Sequence, residues 1–418
     1  MVSVISQYFK NIKFFNRNIK LYLFATALIN LGFGIFYTDF NLYILSMGMK
    51  PDFLGVILSL APFAEGLSSI PIGFLAEKIG FKRSLIMVYV VLGMAYFSQI
   101  ISPNRSLIML GSFMVGLVAG GNFIIQLPFI SHFTKEDRNQ AFTLTMLVYY
   151  ITYAIGGLIG GYLPAIINVI VLNATLSYRI TLAVSSLFVV LGALPMLFVD
   201  EDKPDPNRKI SLDPYLKGMD ANTIKFAVVE LFVGAGLAFI ISFLNVIFVY
   251  YFKTTLEFYG ITMAILVFPT ALFLFLGPSI AERIGSLRTV LIGRLLATVL
   301  AYCVVMTTNP YIGAASFILF RSLFGFSQSL WFSFATSVST RRSRMATSVW
   351  LEITFQVGMG IAALAGGTLI ANESYVMLGV ISAAAMAICF VLTYIFFGKE
   401  HMVPWKELRQ KEKRPLAE

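Results

Sequence analysis

Apolar residues run through the chain in blocks of about 20, each closed by a short polar turn. The blocks fall at roughly 21–46, 53–76, 84–102, 106–131, 141–166, 178–199, 226–251, 257–280, 288–307, 311–337, 345–371 and 375–397. About 20 residues at ~1.5 Å rise cross the ~30 Å hydrocarbon layer, so twelve blocks predict twelve transmembrane helices. Pro51, Pro103 and Pro310 punctuate three of the turns, as expected where helices stop. The one long polar stretch inside the chain, "DEDKPDPNRKISLDPYLKGMDANTIK" from Asp200 to Lys225, reads as a linker between six spans and six. The expected organisation is a six-helix half with its N-tail at 1–199, a linker at 200–225, a second half at 226–397 and a tail at 398–418.

Composition sharpens this. Hydrophobic residues make up 58% and charged residues 12%, with mean hydropathy +0.82. A water-soluble fold cannot hide that much apolar surface, whereas a bilayer is its solvent. The stretch from Leu21 is too long for a signal h-region and continues as a full span, so no cleavage is expected. Of the 31 Lys and Arg residues, all but six fall in alternate turns on one side. Lys50, Arg105, Arg179 and Lys253 lie on the other side, and Arg294 and Arg321 lie inside spans. The positive-inside rule then places both termini in the cytoplasm. It also explains the net charge of +10 through anionic lipid headgroups rather than nucleic acid.

The loop "IGFLAEKIGFKR" (72–83) nearly repeats as "IAERIGSLR" (280–288). Ala76, Glu77, Gly80 and Arg83 return as Ala281, Glu282, Gly285 and Arg288, each 205 places later. The same offset carries Gly55 onto Gly260, Gly120 onto Gly325, Ala141 onto Ala346 and Gly161 onto Gly366. A repeat of this kind predicts two six-helix halves related by a pseudo-two-fold axis along the membrane normal.

These features resemble the major facilitator superfamily, and within it the drug/proton antiporter-like members. The first loop matches the family's signature between spans two and three at Gly73, Leu75, Ala76, Glu77, Gly80, Lys82 and Arg83, with Glu77 where the family has Asp. The resemblance implies an all-α, twelve-helix integral membrane protein working by alternating access. Gly73, Glu77, Gly80, Lys82 and Arg83, with Glu282, Gly285 and Arg288, would then latch the cytoplasmic side. Gly73 would permit close helix approach, Glu77 would sit at a helix N-terminus, and Lys82 and Arg83 would pair with acids or lipid phosphates. The plainer alternative is a basic loop that only fixes topology.

Two departures stand out. Ser112 lies where exporters of this family often carry an Arg, four residues before Gly116. In "TYAIGGLIGG", Gly156, Gly160 and Gly161 fit the glycine-rich antiporter signature, while Thr152 and Gly157 do not.

Charges inside spans are costly, so each is a functional hypothesis. Asp39, Glu65, Glu230 and Glu352 are candidates for proton coupling. Asp39, toward the outer end of span one, reads equally as a proton site or a hydrated carboxylate. Glu65 reads as a proton site or a helix-bonding group. Glu352 is expected to pair with Arg294 or Arg321. Arg321 is the deepest cation, and without a carboxylate partner it becomes a binding point for an anionic group. The resemblance makes spans one, four, seven and ten the cavity wall. That singles out Asn30, Tyr37, Asn122, Phe123, Gln126, Asn245, Gln328 and Trp331 as substrate contacts, and each amide reads equally as interhelical glue.

No phosphate-binding loop or enzyme signature is present, and Cys303, Cys389, His132 and His401 have no metal-ligand spacing. "NAT" at Asn173 fits a glycosylation acceptor, but nothing else points to a secretory route. The expected partners are a small-molecule substrate and membrane lipids, with an ion gradient in place of a cofactor. The leading reading is a monomeric, proton-coupled exporter of an amphipathic compound in a prokaryotic inner membrane. The alternatives are an uptake symporter or uniporter for a sugar or organic acid, a lipid flippase, and a membrane sensor.

Overall fold

The computed structural model describes residues 15–134, 138–201, 218–340 and 343–402. Among them run twelve long helices: α1 Arg17–Ser46, α2 Pro51–Ile79, α3 Phe81–Ile101, α4 Arg105–Phe133, α5 Arg138–Val171, α6 Ala174–Leu191, α7 Ala221–Ile241, α8 Leu256–Ile284, α9 Ser286–Met306, α10 Pro310–Val338, α11 Arg344–Ala371 and α12 Tyr375–Thr393. Eleven are long and apolar enough to cross a membrane. The other, α10, is 29 residues long but carries Arg321, Gln328 and several scattered serines. α7 breaks at Ser242 and Phe243, resumes at Leu244–Val246 and continues as one wider turn over Ile247–Tyr251. It also begins five residues before the expected start of span seven.

The chain divides into two packed units, Met1–Ile210 with Thr255–Ala264, and Ser211–Thr254 with Ile265–Glu418. In the first, α1 packs on α5 and α6, and α3 packs on α4 and α6. In the second, α7 packs on α11 and α12, and α9 packs on α10 and α12. The duplication read from two loops therefore extends to the packing order.

It reaches individual atoms as well. Gly80 and Gly285 close α2 and α8 with φ of +96° and +92°, a backbone that side chains rarely adopt. Each donates its N–H four residues back, to Ala76 and Ala281 at 3.0 and 2.9 Å. The Gly80 carbonyl accepts from the Ser84 hydroxyl and that of Gly285 from the Thr289 hydroxyl, both at 2.8 Å. The Ser185 hydroxyl donates to the Gly32 carbonyl, and Ser382 does the same to Gly236. Asn104 and Asn309 cap α4 and α10. Asn173 caps α6 by accepting from the Leu176 amide at 2.9 Å, which gives the residue a structural role of its own.

Asp220 caps α7, accepting from the Thr223 amide at 2.7 Å and the Thr223 hydroxyl at 2.8 Å. Burial alone pushes its carboxyl up, but the Thr223 amide and hydroxyl and the Ser343 hydroxyl together hold it below its ordinary value. The stabilisation from this ionised cap is present above the unfolded-state value and is lost as pH falls through the lower folded one. Asp220→Ala should cost about 1 kcal/mol at neutral pH. Thermal unfolding of the purified protein in detergent checks this, and the gap from wild type should narrow in acid.

Candidate functional site

In the first unit the candidates gather on α1, α2 and α4. Asp39 is fully buried, and among the described residues no donor bonds to either carboxylate oxygen. Its Oδ2 lies against Gly160 of α5, where an added Cβ would come within 2.9 Å. Asn30 is also buried; its amide donates to the Thr26 carbonyl at 2.8 Å, and its Oδ1 is left without a partner. Gln126 is buried with an unpartnered Nε2. Tyr37 is 50% exposed and meets Phe33 and Phe36 edge-on.

Glu65 is part-exposed and lies over Gly120 of α4, where a Cβ would come within 3.1 Å of its Oε1. Its carbonyl accepts from the Ser69 hydroxyl at 2.7 Å and the Ser68 hydroxyl at 3.2 Å. Ser112, in the place of the family's arginine, donates to Gln99 of α3 at 2.8 Å and is buried there. The side chains of Asn122 and Phe123 lie outside the described residues.

In the first of the two repeated loops, Arg83 pairs with Glu201 at 3.1 Å, both well exposed. This meets the expectation of an acidic partner, and an exposed pair contributes only about 0–1 kcal/mol. Nearby, Asn18 and Asp200 exchange two bonds: the Asn18 amide donates to Oδ2 at 2.9 Å, and the Asp200 N–H donates back at 3.1 Å. At Gly73 an added Cβ would meet only Ile124, at 3.5 Å, which is ordinary contact. Within this unit the close approach expected of Gly73 is therefore not required. Glu77 is part-exposed in the last turn of α2, and Glu282 and Arg288 flank Gly285 in exposed positions.

The second unit holds a buried ionic cluster. Glu230 of α7 is fully buried and accepts from Gln328 Nε2 of α10 at both carboxylate oxygens, 3.1 and 3.0 Å away. Arg294 of α9, 3% exposed, places Nη2 3.9 Å from Glu230 Oε1. Its other arm donates to the Thr393 hydroxyl of α12, and its guanidinium lies 4.2 Å from the Trp331 ring centroid. Phe226 and Phe397 pack on that indole at 4.8 and 5.6 Å. The cluster thus ties α7, α9, α10 and α12 together, and Trp331 is spent inside it.

The expected pairing of Glu352 with Arg294 or Arg321 is not formed. Glu352 accepts from Gln356, one turn along its own helix, at 2.8 Å. The helix that faces Arg294 is α7, so Glu230 takes the role. Asn245 is buried, with its Oδ1 on the Val246 amide at 2.9 Å. Arg321 is part-exposed, and among the described residues it has neither an ion pair nor a hydrogen bond. Sequence reasoning missed Thr393 and the Asn18–Asp200 exchange, because each partner lies far away in the chain and no local pattern marks it.

Known proteins agree with this architecture. Over residues 22–222 and 226–418 the chain matches the family model described as Major Facilitator Superfamily. It is 24% identical over 164 residues to the uncharacterized MFS-type transporter YfkF of Bacillus subtilis (strain 168), a match covering 38% of this chain and 41% of that relative. The aligned part therefore spans about two fifths of that protein. Among solved structures, a form of the nucleoside transporter NupG superposes with TM-score 0.77 at 13% identity, over 91% of this chain and 100% of that one. A bacterial homologue of the human lysosomal transporter Spinster does so with TM-score 0.72 at 15% identity, over 92% and 98%. Identities this low speak for the fold alone, while the family model covers nearly the whole chain. The protein belongs to the Major Facilitator Superfamily and is a secondary transporter rather than an enzyme.

Proposed function

We infer that this transporter exports a small amphipathic compound in exchange for protons, with Asp39 carrying the proton. The observation behind the reading is the Asp39 carboxylate, fully buried on a membrane-crossing helix with no hydrogen bond to either oxygen among the described residues. An unpaired charge in that position is expensive. Such a group holds a charge only while water or a cation reaches it, so its proton exchange follows the side to which the carrier is open. Glu65, part-exposed beside Gly120, is a second carboxylate to which the same argument applies in weaker form. The export direction rests on the antiporter-like glycines of α5, of which Gly156 and Gly160 press on α1. The distribution of Lys and Arg supports cytoplasmic termini, and the short turns between spans fit a prokaryotic inner membrane.

The test uses energised, pump-deficient bacterial cells that carry the chain. Two amphipathic dyes are followed: cationic ethidium, and anionic carboxyfluorescein loaded as its ester. Cells with the wild type should retain less of at least one dye. The difference should vanish with a protonophore and in Asp39→Asn at equal expression. Equal retention of both dyes with and without the chain, or export indifferent to the protonophore, would sink this reading.

A further inference from the structure

α10 carries a part-exposed stripe that includes its arginine. Ile318, Arg321, Gly325, Gln328 and Phe332 are part-exposed at spacings of three and four, with Phe320, Ser322, Leu323, Phe324, Phe326 and Ser327 buried to one side and Ala315, Leu319, Ser329 and Ser333 exposed on the other. Such spacing puts the open residues on a single face. Gln328 fixes which way that face turns, since its amide reaches the Glu230 carboxylate of α7. Arg321 lies two turns away on the same stripe, so it points to the α7 side of the helix rather than into lipid. It is the twelfth residue of a 29-residue helix, roughly 17 Å from the helix start and so near the middle of a span.

Arg321 is also unusual in having nothing to hold. Among the described residues no carboxylate or hydrogen-bond acceptor meets its guanidinium. The Phe324 ring lies 5.7 Å away, near the limit for a cation–π contact. Glu230 is already engaged by Gln328 and Arg294 and Glu352 by Gln356, while Glu282 is exposed in the last turn of α8. Gly325 sets the posture: its missing Cβ would come 3.7 Å from Arg321 Nη1. The guanidinium therefore lies along the stripe over a position with no side chain. A bare guanidinium at this depth costs several kcal/mol unless something pairs with it. Its planar fork matches a carboxylate or phosphate through two parallel bonds.

We propose that Arg321 is the recognition point for an anionic group, a carboxylate or phosphate, on the transported compound. The assignment rests on the reading of a transported amphipathic compound and gives that compound a charge. Lipid headgroups offer the same chemistry, but their phosphates lie at the membrane surface, well beyond the reach of one side chain from mid-helix. Of the two dyes above, carboxyfluorescein should be the one exported.

The decisive measurement is binding, without any gradient, so failure of proton-driven export would leave its result standing. Full-length protein in neutral-lipid nanodiscs is titrated with 2-naphthoate and with the uncharged 2-naphthamide, following tryptophan fluorescence and the unfolding midpoint. Naphthoate should bind and naphthamide should not. Arg321→Gln should weaken naphthoate by roughly 10- to 100-fold, the loss of a charge-assisted pair, and Arg321→Lys should fall between. Arg321 has no internal partner among the described residues, so without ligand Arg321→Lys should keep the wild-type midpoint and Arg321→Gln should not fall below it. Equal binding of the two probes, no binding of either, or an unchanged naphthoate affinity in Arg321→Gln would overturn the proposal. Nanodiscs containing phosphatidylglycerol supply the last arm. Unaltered naphthoate binding there supports the assignment, and competition by the lipid would overturn it in favour of a headgroup site.

Discussion

Arg294→Met should destabilise the second unit by about 3–5 kcal/mol, the usual cost of removing one member of a buried ion pair. The expectation follows from what the substitution leaves behind. Glu230 is fully buried, and after the change the Gln328 amide would be its remaining hydrogen-bond donor among the described residues. The Thr393 hydroxyl and the face of Trp331 would lose their partner at the same time. The comparison that isolates the pair is the double variant Glu230→Gln with Arg294→Met. An amide at 230 carries no charge, still meets Gln328, and sits among Phe226, Trp331 and Phe397 without an uncompensated ion. It should recover most of the loss, because the pair itself contributes little beyond the desolvation it offsets. Unfolding midpoints in detergent, with expression in the membrane as a second readout, check both variants. If Arg294→Met proves no worse than the double variant, the Glu230 carboxylate has access to water and the cluster is not sealed.

The parts of this molecule that were legible in its sequence are those set by local chemistry. Span lengths follow from the thickness of the hydrocarbon layer, and all twelve helices lie where the apolar blocks predicted. Gly80 and Gly285 were visible as a repeat because a helix that ends in a left-handed turn needs glycine there in both copies. The polar core was less legible. A helix presents its side chains all around its axis, and nothing local says which neighbour each will face. Arg294 was therefore assigned to Glu352, although packing of α9 and α7 against α12 brings it to Glu230. The same ambiguity hid the role of Trp331, read as a cavity wall and found covering a guanidinium. Asp39 shows the opposite case. Its place near the end of an apolar block left open whether water reached it, and only burial by α5 at Gly160 separates the two readings. Gly73, expected to allow close approach, has room for a methyl group. The glycines that do the close packing include Gly34 on α1 and Gly234 on α7, outside any recognised motif, beside Gly156 and Gly160 of the α5 signature.

Those glycines carry the other large prediction. Gly34→Leu in the first unit, or Gly234→Leu in the second, should prevent that unit from packing and reduce folded protein to a small fraction of wild type. An added Cβ at Gly34 would fall 2.7 Å from the Gly157 amide nitrogen and 2.8 Å from the Gly156 carbonyl carbon, and closer still to the Tyr153 carbonyl oxygen. At Gly234 it would run into the Phe355 carbonyl, and at Gly358 into that of Leu231. All of these are backbone atoms, which cannot turn aside as a side chain does, so the helices themselves must separate. Helices in a membrane gain little by hiding apolar surface from one another, and their association depends on close contact between small residues. Forcing α1 from α5, or α7 from α11, removes that contact along a whole crossing. The cost should therefore exceed the ~1–3 kcal/mol of ordinary overpacking, a large share of the ~5–15 kcal/mol that holds a typical fold together. Gly73→Ala is the matched control, since its methyl meets only Ile124 at 3.5 Å, and it should fold normally. Fluorescence-detected size exclusion of the three variants separates the outcomes. A monodisperse, heat-stable Gly34→Leu protein would mean that α1 and α5 are held apart in the membrane and that the repeated glycine crossing is not what joins them.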